Sequence, residues 1–429
     1  MKPLTSMLVA ACIAATNIAT APVAAQERTI AIRNATILTA VSATPIEKGT
    51  ILIRGGKIAA VGTTVTVPAD AEVIDATGMW VMPGIIDSHS HLGVYAWPSV
   101  DANADGNEMT NPITAQVRAL DSFNFEDPAI RRAVAGGVTT IQVFPGSGNL
   151  VGGQSVVLKL KPEAGRLASV FAKAPPGMKM AMGENPKRVY GERNQAPSTR
   201  MGNFAVLREA FQQAREYQGR LQRWTEKPEG AAPDRNLKLE ALVEIMAGQR
   251  IVHVHCYRQD EMLNMIKLAD EFKFKIRSFQ HTIEGYKVAD VLAARGIGAS
   301  TWPDTYGGKM EMADGIPYNA TILALNKVTF AIHSDSPNTI QRLWHEAART
   351  VRYGVTEDDA IKSVTKNAAW IAGVDEFTGT IEVGKDADLA IFNGHPFDIF
   401  SLVQKTVIDG VVVFDRARDW AKWNHLEGR

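Results

Sequence analysis

Between residues 82 and 375, short apolar runs that read as strands alternate with amphipathic stretches that read as helices, and four of those runs end on histidine or aspartate. Such alternation implies a parallel α/β architecture, because consecutive parallel strands need a helical crossover between them. The strand-like runs lie at 139–144, 155–160, 179–182, 250–255, 276–281 and 328–333. Phe204, Leu207, Phe211 and Ala214 share one face of a helix predicted over 203–217, with Gly219 as its stop and 220–236 as an exposed loop. A second helix is predicted over 260–272. A third follows Thr356, which caps it with acidic residues at the positive end of the dipole, and runs to Ala372.

The two ends of the chain have a different texture. Runs at 30–32, 51–53, 58–61 and 71–75, broken by Gly55-Gly56 and Gly62, read as all-β, and the same character returns at 378–392 and 407–413. With 429 residues there is room for one large α/β unit of about 250 residues and a smaller β unit.

The first 25 residues read as a secretory signal. Lys2 precedes an apolar stretch from Met7 to Ala15, and Val23-Ala24-Ala25 offers a small-residue cleavage site before Gln26. The stretch is too short to span a bilayer. Export to a periplasm or the medium is the expectation, with lipid anchoring at Cys12 as the alternative. Once the signal is removed, Cys256 is the only cysteine, so no internal disulfide is expected. Strand alternation turns Cys256 away from its neighbour His255 and into the core.

Lysine plus arginine and aspartate plus glutamate both total 46, with no long run of one sign, so nothing favours nucleic acid or an anionic membrane as partner. The chemistry concentrates in histidine. His89 and His91, at the end of an apolar run, are two residues apart, so both imidazoles face the same side of a strand and can grip one ion. His253 and His255 repeat that spacing. His281 ends the run at 276–281, and Asp335 follows the run at 328–333 in Ser334-Asp335-Ser336-Pro337. One strand histidine is more often a packed residue than a ligand; several at successive strand ends, followed by a carboxylate, favour a metal centre. The glycine-rich stretch 146–153 lacks the Lys-Ser/Thr ending of a phosphate loop and reads as a flexible connection.

In order and spacing these residues resemble the amidohydrolase superfamily of metal-dependent hydrolases, and its imidazolonepropionase-like branch in particular, over about residues 29–415. The resemblance implies a (β/α)8 TIM-type barrel over 82–375, with the segments 26–81 and 376–429 folding together as a small β-sandwich. It implies one or two divalent ions, zinc foremost, held by His89, His91, His255, His281 and Asp335, with His255 chosen over His253 and with Asp335 also moving protons. His333 faces the same side as Asp335 and is a candidate to orient it. For the ligand between two metals the expected residue is Glu184, after the run at 179–182, with a carboxylated Lys159 as the alternative. Substrate contacts are expected from Tyr190, Tyr257 and Arg258.

The implied reaction is hydrolysis of a C–N bond in an amide, peptide or cyclic amide, such as a dipeptide or N-acyl amino acid. Arg188, Arg193 and Arg200 near Tyr190 suit a substrate carboxylate. Deamination on the same barrel and a non-catalytic binding protein are the rival readings. A homo-oligomer is compatible with the sequence.

Overall fold

The structure is a computed structural model and describes residues 28–305 and 307–423. The expected signal segment, its cleavage site and Cys12 lie outside the described residues. No helix among those described is long and apolar enough to cross a membrane.

Two sheets carry the fold. The N-terminal strands are β1 (Thr29–Ile37), β2 (Ile46–Arg54), β3 (Lys57–Gly62), β4 (Glu72–Asp75) and β5 (Trp80–Pro83). The central ones are β6 (Ile85–Ser90), β7 (Val138–Val143), β8 (Val151–Lys159), the two-residue β9 (Ser169–Val170), β10 (Gly177–Ala181), β11 (Ile251–Cys256), β12 (Ile276–His281), β13 (Gly298–Thr301) and β14 (Phe330–Ile332). Strands β15 (Leu389–Phe392), β16 (Val403–Ile408) and β17 (Val411–Asp415) complete the chain.

The first sheet joins both chain ends in the order β17-β16-β15-β5-β1-β2-β3, with β4 on β1. Strand β15 pairs antiparallel with β5 through Leu389–Pro83 to Phe392–Trp80, so the last part of the chain is registered on the first. This sheet encloses its own core, with Ile30, Ile32, Ile51, Ile53, Leu389 and Ile391 buried together.

The second sheet runs β14-β13-β12-β11-β10-β8-β7-β6, with β9 on β8, and forms a nearly closed barrel. Strands β10 to β14 are parallel, as are β6 and β7. Strand β8 departs from the expected all-parallel wall by running antiparallel to both β7 and β10. The physical reason is its connection: only a short segment separates β7 from β8, too little for the crossover that a parallel neighbour requires.

The strand path ends at β6 and β14, and specific bonds join these two edges. Asp335 N donates to His89 O at 3.1 Å, Ser334 N donates to Asp87 Oδ1 at 3.1 Å, and Ser334 Oγ donates to Asp87 Oδ2.

Two helix boundaries differ from expectation. The helix predicted to stop at Gly219 continues as Arg200–Glu226, because one glycine inside a helix costs only about 1 kcal/mol and the polar turns beyond it pair internally, Gln222 with Glu226 at 2.8 Å. Thr199 caps its start. The helix after Thr356 divides into Glu357–Ser363 and Lys366–Ala372 at Thr365, whose φ of −133° and ψ of −96° leave the helical region.

Candidate active site

Strand pleating turns His89 and His91 into the barrel mouth, and the partners of their outer nitrogens fix how the rings present themselves. His89 Nδ1 lies 2.9 Å from Gln280 Oε1, and His91 Nδ1 lies 2.9 Å from the Phe144 carbonyl. Both partners can only accept, so Nδ1 is the donor in each ring and the Nε2 atoms face inward. Those two Nε2 atoms are 3.4 Å apart, and Asp335 Oδ1 lies 3.4 Å from one and 3.2 Å from the other.

The other expected histidines pack around this pair. His281 lies 4.7 Å from His89 and 4.6 Å from His255 between ring centroids, and it stacks on Trp302 at 4.6 Å. His255 Nδ1 is 3.0 Å from Ser147 Oγ, so the connection at 146–153 forms part of the mouth. His253 turns to other partners: its Nε2 accepts from Gln142 at 3.0 Å and its Nδ1 meets Ser278 Oγ at 2.8 Å. Cys256 is buried in the core beside it.

Burial holds the imidazoles of His89, His255 and His281 well below their usual pKa, with the nearby Lys179 charge adding to the effect. Burial likewise takes His333 to about 4. Burial alone would raise Asp335, but its contact with His91 and the nearby Lys179 outweigh it and keep the carboxyl below its ordinary value. The mouth therefore holds neutral imidazoles around an ionised carboxylate.

Backbone conformation supports the arrangement. His281, Thr282 and Asp335 have φ values of 72°, 40° and 51°, a left-handed region that non-glycine residues rarely occupy and that tends to cluster where a side chain must be aimed.

The residues fit a cation. Ligand atoms of His89, His91 and Asp335 lie within 4.8 Å of one another, as do those of His89, His281 and His333. His281 Nδ1 and both nitrogens of His333 are buried without a hydrogen-bond partner, an arrangement that costs free energy until something accepts their lone pairs or donates to them. His333 is thus a member of the cluster by position, and it makes no hydrogen bond to Asp335.

Lys179, in the middle of β10, was absent from the expected site. It is fully buried, its Nζ lies 3.4 Å from His89 Nε2 and 5.1 Å from the Phe144 ring centre, and burial pushes it down to about 7 against the pull of Asp335. A lone lysine on the inward face of an apolar strand was the available signal.

Neither residue expected to bridge makes a side-chain hydrogen bond or ion pair to the histidines among the described residues. Lys159 ends β8 and points away from the histidines, into Asp386 at 2.7 Å, Asp388 at 3.1 Å and Asp409, at the junction between the two sheets. The antiparallel run of β8 is the reason, since it carries that strand's C-terminal end to the opposite end of the barrel from the C-terminal ends of its neighbours. Glu184 opens the helix Glu184–Gly191, and its N–H donates to Glu311 Oε1 at 2.6 Å. Gly183, with φ of 87° and room for no Cβ beside Glu311, turns the chain so that Asn185 is the residue that reaches His255, its Nδ2 3.5 Å from Nε2.

Of the expected substrate contacts, Tyr257 is at the mouth, its ring 4.8 Å from His255 and 5.3 Å from His281. Tyr190 is fully buried inside its helix. Arg258 is engaged by Asp260 at 2.9 Å, and Arg200 by Glu261 at 3.1 Å and Glu311 at 2.6 Å. The cation beside the histidines is Lys309 instead, which donates to Asn185 Oδ1 at 3.1 Å and lies 5.2 Å over Tyr257.

Residues 80–414 match the model of the amidohydrolase family, a span that contains every residue of this cluster. The chain belongs to the amidohydrolase family. A crystal structure of an amidohydrolase from Thermotoga maritima MSB8 superposes with a TM-score of 0.85 at 39% identity, covering 90% of this chain and all of that one. Amidohydrolase tasK of Hapsidospora irregularis is 32% identical over 395 residues, 86% of this chain but only 40% of that longer protein. An imidazolonepropionase of Mesorhizobium japonicum is 27% identical over 377 residues, covering 81% of this chain and 87% of that one. For this amidohydrolase the barrel mouth is therefore the place to seek the reaction.

Proposed function

We propose that this amidohydrolase hydrolyses a C–N bond of a small amide, peptide or cyclic amide, with divalent metal held by His89, His91, His255, His281 and Asp335. The observation that carries the reading is the convergence of two inward Nε2 atoms and one carboxylate oxygen within 3.4 Å, which a cation would relieve. A bound divalent ion would supply Lewis acidity, lowering the pKa of water and polarising a carbonyl.

The chain's own groups do the rest. Asp335, ionised and partly open, accepts the proton of the attacking water and returns it to the leaving nitrogen. Lys179, rather than Glu184 or Lys159, would join the histidines and Asp335 in holding metal: its lowered pKa leaves a neutral amine in reach at neutral pH, and addition to carbon dioxide with loss of a proton would make it an anionic carbamate beside His89. Tyr257 and Trp302 form an aromatic wall, and Lys309 meets a substrate carboxylate in place of Arg200 and Arg258, which are already paired. That favours a dipeptide or N-acyl amino acid.

The test is metal analysis of the purified protein together with a screen of N-acyl amino acids, dipeptides and cyclic amides. Hydrolysis that is lost on chelation and restored by zinc supports the reading. Ammonia release from a purine or pyrimidine, without amide hydrolysis, would assign deamination instead. Export is part of the same proposal and rests on Lys2, the apolar stretch after it and Val23-Ala24-Ala25; N-terminal sequencing of protein from a periplasmic fraction should begin near Gln26.

A further inference from the structure

Outside the barrel wall, the helices Pro128–Ala135 and Leu343–Val351 and the C-terminal helix Arg416–Trp423 border a cavity of about 530 Å³, within the range of small-molecule sites. Trp97, Trp344 and Trp420 give it aromatic walls, and Arg131, Arg132, Arg342 and Arg416 line it with no aspartate or glutamate among the lining residues. Arg131, Arg132 and Arg342 have no carboxylate within ion-pair distance among the described residues. Gly136 lets the two sides close up, since a Cβ there would lie 2.1 Å from the Gln341 carbonyl.

The donors of this cavity are unusually idle. Nε and one terminal nitrogen of Arg132 are buried with no hydrogen-bond partner, and so are Trp344 Nε1 and His345 Nε2. Buried guanidinium nitrogens are normally satisfied, and leaving them unpaired is costly. Arg132 is held in place by its stacking 4.9 Å over Trp97.

We propose that this cavity is a second binding site, for a small aromatic carboxylate. A planar guanidinium matches a carboxylate through two parallel hydrogen bonds, and tryptophan faces and edges favour a planar ring. The ligand brings the negative charge that no lining residue among those described supplies. The site shares no lining residue with the metal cluster and stands independently of the reaction proposed there.

The experiment is calorimetric titration of the metal-loaded protein with naphthoate, its neutral analogue naphthylmethanol and inorganic phosphate. Naphthoate should bind with a single equivalent per chain, and both Arg132→Ala and Arg342→Ala should weaken it by about 10–100-fold with amide turnover unchanged. Asp335→Asn should leave the naphthoate affinity as it was, which separates this cavity from the metal centre. If Arg132→Ala does not fold, Arg132→Lys, which keeps the charge and loses the fork, and Trp344→Phe, which loses one N–H, replace it, each with a smaller weakening expected. Equal binding of naphthylmethanol or phosphate, or naphthoate binding that follows Asp335 and ignores both arginines, would overturn the assignment.

Discussion

Two buried lysines on adjacent strands meet opposite fates in this molecule. Lys159 on β8 and Lys179 on β10 are both almost without solvent. Burial penalises the charge of each, but Asp386, Asp388 and Asp409 around Lys159 outweigh that penalty and drive its pKa above the ordinary lysine value, whereas Lys179, facing imidazoles with Asp335 as its carboxylate, falls to about 7. The lesson is that a lysine's chemistry is set by how many anions face it. Three make it a structural cation, and one at a distance leaves an amine able to react.

The comparison can be broken at several points. The largest effect is expected at the carboxylate beside Lys179: Asp335→Asn should lower turnover by about 10²–10⁴-fold while metal analysis still finds the ion, and a near-normal rate would remove Asp335 from proton transfer. At the other lysine, Lys159→Met should cost about 3–5 kcal/mol in denaturant unfolding, because it leaves the buried Asp388 without its cation and Asp386 and Asp409 with Lys57 and Lys161 alone, with metal content unchanged in the folded fraction. Lys179→Met should behave in reverse, lowering metal affinity by at least about 10–100-fold, as for groups that support metal ligands, with no loss of stability in the metal-free protein. If the two methionine variants gave the same pattern, the distinction between the lysines would fail.

The smallest effect concerns pH. Burial opposes ionisation of Asp386, but hydrogen bonds from Lys159 and Lys57 prevail and hold its pKa below the usual 3.8. A depressed carboxyl contributes stability that is fully present above its unfolded pKa and is lost as pH falls through the folded one. The stability gap between the native chain and Asp386→Asn should therefore be constant near neutrality and narrow below pH 3.8 in acid unfolding curves.

The same two lysines mark how far the sequence could be read. Alternating runs foretold a parallel α/β unit, and the barrel and the pairing of the chain ends followed from the resemblance. His89, His91, His281 and Asp335 met as expected because strand parity turns alternate side chains to one face, whatever the neighbouring strand does. Parity does not reveal strand direction. An antiparallel β8 sends Lys159 to the far end of the barrel, and nothing in residues 155–160 encodes that; the brevity of the connection after β7 does. Lys179 sits in the middle of a strand-like run, whereas the ligand pattern marks strand ends. After Gly183 it is Asn185, next to Glu184, whose side chain meets His255. Ser147 and Lys309 reach the mouth from connecting segments, whose path depends on tertiary packing that no local pattern records.

The join between β6 and β14 gives the molecule an asymmetry of its own. Everywhere else around the barrel, neighbouring strands are tied by repeated main-chain bonds, while here the tie is the carboxylate of Asp87 on Ser334 and one bond from Asp335 to His89. The histidine pair stands on one bank of that joint and the proton-accepting aspartate on the other. Their separation is thus set by that clasp and the one main-chain bond beside it, so the distance that matters most for reactivity can be tuned at Asp87 without touching a residue that meets the substrate.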